Sequence, residues 1–453
     1  MKQTERGNFA TKLGIVLATA GSAVGLGNVW RFPFMTGQGG GAAFIVVYVG
    51  CILLLGIPGM VSEFIIGRHS QANAARAYEG ISGRGGWRLV GYLGIVTSVL
   101  ILGFYAVVAG WCVQYLFASL AGNLRGDSAY VQQYFSSFSS DAWKPSLWAV
   151  AFVVVTHLVV VRGVQRGIER ASKLLMPLLF LLLLAIVVAA CTLPGAREGI
   201  EFLFWPDFSK MNRSVMLGAL GQAFFSLSLG TCCLCTYASY FARDTHLLRS
   251  AGEIALLDTL IAILAGLMIF PAAFSVGVQP DSGPSLIFIT LPSVFQQAFA
   301  SMPAVGFVVG VMFYALLVFA ALTSTISMHE IGTAFFSEEL NLGRTKGAWI
   351  VTIVCSLIAV ACSLSMGAVS GLSLFGMPLL DFFDMATAQF MLPLGAFLTS
   401  IFLGWFVSRD TVRAEFTNHG TVYGRLFPVY LYAVRYVVPL CILLIFLHQL
   451  GVI

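Results

Sequence analysis

Eleven times along this chain a stretch of about twenty mostly apolar residues recurs, the length an α-helix needs to cross the hydrocarbon core of a bilayer. The stretches run near 8–36, 40–68, 87–120, 146–162, 172–192, 213–241, 248–276, 305–337, 346–366, 376–407 and 427–449. Backbone groups find no water partner in lipid, so a spanning segment must bond internally as a helix or pair within a closed barrel. These runs are far longer than barrel strands. An all-α integral membrane protein with about eleven transmembrane helices is therefore expected. Residues 277–304 carry Pro280, Pro284, Pro292 and Pro303 and read as a structured loop rather than a span.

Composition agrees, with 58% hydrophobic and 10% charged residues and a mean hydropathy of +0.89. Soluble domains are about a quarter charged; a soluble molecule this poor in charge could not cover its surface. Because apolar stretches recur to the C-terminal end, the first is expected to be a retained span rather than a signal peptide.

The net charge of +5 invites a nucleic-acid partner until the charges are placed. With the N-terminus inside, 18 Lys and Arg fall in inner connections and 5 in outer ones, while Arg31 and Arg435 lie within spans. Inner loops attract Lys and Arg. A cytoplasmic N-terminus, an outward C-terminus after eleven crossings, and a multi-pass protein of the cell membrane are expected. Lipid, not nucleic acid, is the large-scale partner, and no motif sets an oligomeric state. The nine cysteines lie in or beside apolar stretches and read as small hydrophobes. Cys232, Cys233 and Cys235 have no His or carboxylate close in sequence to complete a metal site.

Two spans carry weak points. Span 1 holds Gly21-Ser22-Ala23-Val24-Gly25-Leu26-Gly27-Asn28, and span 6 holds Ser226-Leu227-Ser228-Leu229-Gly230-Thr231. Small residues also serve close helix packing. Two such patches opening two successive five-span halves instead suggest paired discontinuous helices. In transporters these aim half-helix ends and unwound carbonyls at a solute and its ions. Charges at membrane depth are costly and usually functional. Asp258 in span 7 reads as a cation holder, and Arg31 and Asp384 stand in spans 1 and 10. Glu63 is expected to pair with neighbouring Arg68. Thr323-Ser324-Thr325 and Tyr105 place hydroxyls at mid-depth. His329-Glu330 lacks the second His of a zinc-protease pattern, and no nucleophile–base pair points to a membrane enzyme.

Particular stretches carry a family resemblance: 21–33 (GSAVGLGNVWRFP), 39–44 (GGGAAF), 58–68 (PGMVSEFIIGR), 162–173 (RGVQRGIERASK), 221–240 (GQAFFSLSLGTCCLCTYASY) and 319–327 (FAALTSTIS). The chain resembles the neurotransmitter:sodium symporter family, especially its short bacterial amino-acid-transporting members. The resemblance implies a single transporter domain over 1–453 with a five-plus-five inverted repeat, helices 1 and 6 broken. Repeat one covers about 8–192, repeat two about 213–407, and an extra helix about 427–449.

It also implies two sodium ions. One would be held by the Ala23 carbonyl, Asn28, Ser226, Asp258 and the substrate carboxylate. The other would be held by carbonyls of Gly21, Val24 and Ala320 with hydroxyls of Thr323 and Ser324. The substrate carboxylate would meet amides near Leu26 and Gly27 and the Tyr105 hydroxyl, and the amino group carbonyls around Ala23, Phe225 and Ser228. Ser22, Ile101, Thr231 and Met328 would line the side-chain pocket. By resemblance Phe225 and Tyr105 form an outer lid, Arg31 and Asp384 an outer charged gate, and Arg6 with Glu338 an inner latch near Phe9 and Tyr240. Gly25 stands where amine-carrying members place Asp, which favours a substrate bringing its own carboxylate. Asp258 stands where chloride-dependent members have a neutral residue, so chloride is expected to be dispensable. The implied activity is sodium-coupled import of a neutral, hydrophobic or aromatic L-amino acid by alternating access. The alternatives are proton coupling through Asp258 and a sodium-responsive sensor or channel.

Overall fold

The computed structural model describes residues 7–277, 284–369, 371–422 and 424–449. Arg6, expected in the inner latch, and Pro280 lie outside the described residues. Each of the eleven apolar stretches has a helical counterpart. Among the described residues, eight helices are each long and apolar enough to cross a membrane. They are span 2 (Ala42–Ser70), span 3 (Gly85–Leu120), span 5 (Val164–Ala190), span 7 (Leu247–Ser275), span 8 (Pro303–Glu339), span 9 (Arg344–Ser365), span 10 (Leu379–Phe406) and span 11 (Gly424–His448). Span 4, Lys144–Val160, follows an outer helix, Ser128–Ser139, across a 72° bend. The proline-rich connection holds a helix, Thr290–Ala298, and is the structured loop expected.

Spans 1 and 6 are the interrupted ones. Span 1 starts at Lys12, where the Thr11 hydroxyl accepts from the Gly14 N–H and satisfies a first-turn amide. It runs to Ala23, resumes as Gly27–Gln38, and bends by 55° between the two pieces. The interruption is shorter than the sequence suggests. Ser22 stays helical, its hydroxyl donating to the Thr19 carbonyl at 2.7 Å, and Gly27 opens a wide π-turn that runs to Arg31. Span 6 consists of Arg213–Ser226 and Cys233–Ala238. Between them the chain turns through left-handed backbone at Ser228 (φ 54°), Gly230 (φ 84°) and Cys232 (φ 58°). At Gly230 a Cβ would stand 2.2 Å from the Leu392 carbonyl oxygen, so glycine lets span 10 press against the break. The first half of span 1, Lys12–Ala23, packs on spans 5, 7 and 8, and span 3 lies along span 8, placing both breaks in the middle of the molecule.

Glu63 corrects one expectation. Five residues on a helix turn through roughly 140° beyond a full revolution, so Glu63 and Arg68 face different ways. Arg68 donates to Glu415 Oε2 (2.8 Å) and the Thr245 carbonyl (2.5 Å). Burial pushes the Glu415 carboxyl up, yet hydrogen bonding from His69 and the Arg68 charge hold it below the usual range. Glu63 instead accepts from the Gly230 N–H at 2.8 Å and the Cys235 N–H at 3.2 Å, supplying partners that the broken helix cannot. Glu63→Ala strands two buried amides, each costing about 1–3 kcal/mol. Thermal unfolding of the purified protein should show a midpoint several degrees lower, and an unchanged midpoint would contradict this role.

Candidate ion and solute site

The break in span 1 meets spans 6 and 7 through a knot of oxygens. The Asn28 amide Nδ2 donates to Asp258 Oδ1 at 2.7 Å, and the Ser226 hydroxyl donates to Asp258 Oδ2 at 2.8 Å. Asn28 Oδ1 accepts from the Gly25 N–H at 3.1 Å, fastening the side chain across its own break. The Tyr48 hydroxyl donates to Asp258 Oδ2 at 3.1 Å. Asp258 is fully buried, and no Lys or Arg pairs with it among the described residues. A buried carboxylate with neutral donors and no cationic partner is costly alone and suits a cation. Asn28, Ser226 and Asp258 of the expected first sodium set are thus brought together. Tyr48 is a member the sequence reading missed, with no motif to mark it.

A second knot joins the same break to span 8. Ser324 Oγ and Thr323 Oγ1 both donate to the Val24 carbonyl oxygen, at 3.3 and 3.5 Å. Thr323 also reaches the Ala320 carbonyl at 3.0 Å, and a Cβ on Gly21 would lie 3.3 Å from Thr323 Cβ. Gly21, Val24, Ala320, Thr323 and Ser324 therefore converge, all offering oxygen, the ligand type hard cations take. Gly25 closes the corner. Its missing side chain would stand 2.6 Å from Ser324 Oγ and 3.2 Å from the Tyr105 hydroxyl, so any larger residue must displace these hydroxyls.

Between the knots, Tyr105 Oη accepts from the Leu26 N–H at 3.1 Å. The Ser228 hydroxyl donates to the Ser22 carbonyl at 3.0 Å, linking the two breaks. Thr231 Oγ1 donates to the Ser228 carbonyl at 2.7 Å, while the Thr231 carbonyl accepts from Ser98 at 3.0 Å. Ser98, Ile101 and Tyr105 share one face of span 3 by helical spacing; this puts buried Ile101 between the two breaks. Met328 lies one turn beyond Ser324 on span 8 and is half-buried. Phe225 sits against Gly27, 2.9 Å from the position its Cβ would take.

The gate residues divide. The Arg31 guanidinium stacks on the Phe225 ring, 4.5 Å from its centroid, and among the described residues no ion pair joins it to Asp384. At the end expected to face inward Phe9 and Tyr240 pack edge to face at 6.3 Å, and the Phe9 N–H donates to the Tyr240 carbonyl at 3.2 Å. Glu338 accepts from the Asn73 N–H and side-chain amide at 2.8 and 3.0 Å. The sequence reading missed three inner contacts. Tyr240 Oη donates to Glu330 Oε1 at 2.7 Å, Arg344 grips both Glu330 oxygens, and Arg344 Nε also donates to the Val160 carbonyl at 3.0 Å. Glu169 also holds the start of span 1, accepting from the Ala10 N–H (2.7 Å) and the Thr11 hydroxyl (2.9 Å) while pairing with Lys173. A lone acid inside an apolar run was the available signal for Glu330, but its partner could not be read. The Cys232–Cys235 cluster forms no metal group: among the described residues no three His, Cys, Asp or Glu converge to hold one.

A membrane-embedded bundle with two broken helices and two oxygen knots at the breaks defines a transporter that handles cations together with a solute. The comparisons agree. The model of the sodium:neurotransmitter symporter family matches residues 6–141 and 139–453. An uncharacterized sodium-dependent transporter of Bacillus subtilis, YhdH, is 40% identical over 100% of this chain and 99% of its own length. A second such transporter, from Haemophilus influenzae, is 33% identical over 98% of both chains. The crystal structure of MhsT in complex with L-phenylalanine superposes with a TM-score of 0.88 at 39% identity, covering 98% of this chain and 99% of that one. The chain belongs to the sodium:neurotransmitter symporter family. It is a multi-pass membrane transporter of a sodium-coupled family, not an enzyme, with the fold the resemblance implied.

Proposed function

We propose that this chain imports a neutral, hydrophobic or aromatic L-amino acid together with two sodium ions, without requiring chloride. The observation that carries the reading is the pair of oxygen knots sharing the span 1 break: Asn28, Ser226 and Asp258 on one side, Val24, Thr323 and Ser324 on the other. The substrate carboxylate would add the missing oxygen beside Asn28 and Ala23. It would take the Leu26 N–H and the Tyr105 hydroxyl, which pair with each other in this structure. The amino group would meet carbonyls at Ala23, Phe225 and Ser228. Gly25 supplies no counter-ion for a bare amine, and Asp258 supplies the negative charge that chloride would otherwise bring. The wall of Ile101, Thr231 and Met328, with Ser22, supports an apolar side chain. The phenylalanine complex of MhsT and the nutrient amino acid transporter of Drosophila pseudoobscura, 25% identical over 79% of this chain and 63% of its own length, support the amino-acid class.

Repeat one (8–192) and repeat two (213–407) form the working domain, with 427–449 appended. The N-terminus faces the cytoplasm and the C-terminus the outside. Sodium settles the broken helices, substrate draws the Phe225–Tyr105 lid and the Arg31–Asp384 gate together, and release of sodium inward frees the Arg6–Glu338 latch. Proteoliposomes loaded without sodium should concentrate radiolabelled phenylalanine or a related amino acid when sodium is outside. Uptake that continues unchanged in choline would overturn sodium coupling, and uptake driven by a pH gradient alone would favour proton coupling through Asp258.

A further inference from the structure

A cavity of about 130 Å³ lies between the beginnings of span 1 and span 7, away from both breaks. Three features suit it to an anion. Lys12, His246, Arg249 and Glu253 line it; Arg249 and Glu253 pair at 2.7 Å, whereas Lys12 has no ion pair among the described residues, which leaves its charge unbalanced. Span 7 starts at Leu247 with no side chain capping its first turn, leaving amides for an outside acceptor. Thr245 and Ser250 also line the cavity, offering hydroxyl donors that are accessible from it.

The depth of the cavity identifies the ligand. Lys12 lies ten residues from Ser22 at the span 1 break, and Arg249 nine residues from Asp258. At about 1.5 Å per residue each sits roughly 15 Å from the level of the breaks, near the headgroup boundary of a core about 30 Å thick. On the same two helices, exposed Leu13 (60%), next to Lys12, and Leu256 (69%), about two turns beyond Arg249, offer apolar surface that acyl chains cover and a free anion would not use.

We propose that this cavity binds the phosphate of an anionic phospholipid of the cytoplasmic leaflet, with its chains along Leu13 and Leu256. Lys12 rides on the inner half of span 1 and Arg249 on span 7, so the bound lipid ties these two helices at the inner face.

The test is titration of the delipidated full-length protein with dioctanoyl phosphatidylglycerol, followed by native mass spectrometry. One saturable adduct should form, at least about tenfold tighter than with dioctanoyl phosphatidylcholine. Each basic residue near a membrane surface contributes about one RT-scale step or more toward anionic lipid. Affinity should therefore fall about tenfold or more in Lys12→Gln/Arg249→Gln and several-fold in Lys12→Gln alone, an exposed position tolerant of change. Equal binding of phosphatidylcholine, or unchanged affinity in both variants, overturns the proposal. So does competition by inorganic phosphate at the lipid's own concentration, which would assign the cavity to a free anion. The readout is independent of transport, so its failure leaves the proposed function standing.

Discussion

Asp258→Asn should lower sodium affinity by roughly a hundredfold to a thousandfold when chloride is replaced by gluconate. Two unit charges about 4 Å apart at an effective dielectric near 20 attract by about 4 kcal/mol, and every 1.4 kcal/mol or so is a decade in binding. Asn keeps the shape of the side chain and can still accept from Tyr48 and Ser226, whose hydroxyls reach Asp258 at 3.1 and 2.8 Å. What disappears is the one buried negative charge of that knot. The family resemblance implies a neutral residue at this position in chloride-dependent members. Added chloride should therefore restore part of the loss. Sodium titrations of uptake in gluconate and in chloride provide the check, and a variant that matches the parent protein in gluconate sinks the role given to Asp258.

Thr323→Val with Ser324→Ala should flatten the sodium dependence of uptake and cut its rate at least about tenfold. Valine keeps the β-branched shape that span 8 already accommodates, so packing survives while both hydroxyls that bond the Val24 carbonyl are lost. A hydrogen bond or ligand contact to a charged partner is worth about 1.5–3 kcal/mol, and two are removed together. With one oxygen knot intact, the steepness of the sodium curve should drop from near two toward one, while binding of radiolabelled substrate in high sodium persists. An unaltered steepness would show that span 8 carries no transported ion.

The membrane class, the number of helical stretches and the places of interruption were legible because each leaves a local mark. Lipid enforces apolar length, and glycine or serine at mid-depth loosens a helix. Partnerships across the fold leave no such mark. Glu63 looked like the neighbour of Arg68, but its true partners, Gly230 and Cys235, lie 167 and 172 positions away. Tyr48 gave no sign of its bond to Asp258, 210 residues on. The limits of the first break also depend on a local contest. Ser22 could have unwound with its neighbours, but its hydroxyl back-bonds to Thr19 and the helix keeps that turn. The residues implied at the ion sites were assigned one by one from the resemblance, not from any local mark.

The short helix Lys12–Ala23 has a further consequence. Its later end is tied through the Ser22 and Val24 carbonyls to Ser228, Thr323 and Ser324, and its start is held to span 5 by the Glu169 carboxylate and by Gln165, whose amide donates to the Asn8 carbonyl at 2.7 Å. Glu169 can lie flush against it only because residue 14 is glycine; a Cβ there would fall 2.2 Å from the carboxylate oxygen. Such bonds are short-ranged and directional, so they give way over a displacement of an ångström or two, unlike the apolar packing along the rest of the helix. The first half of span 1 is thus fastened by directional bonds at both ends, with packing on spans 5, 7 and 8 between them.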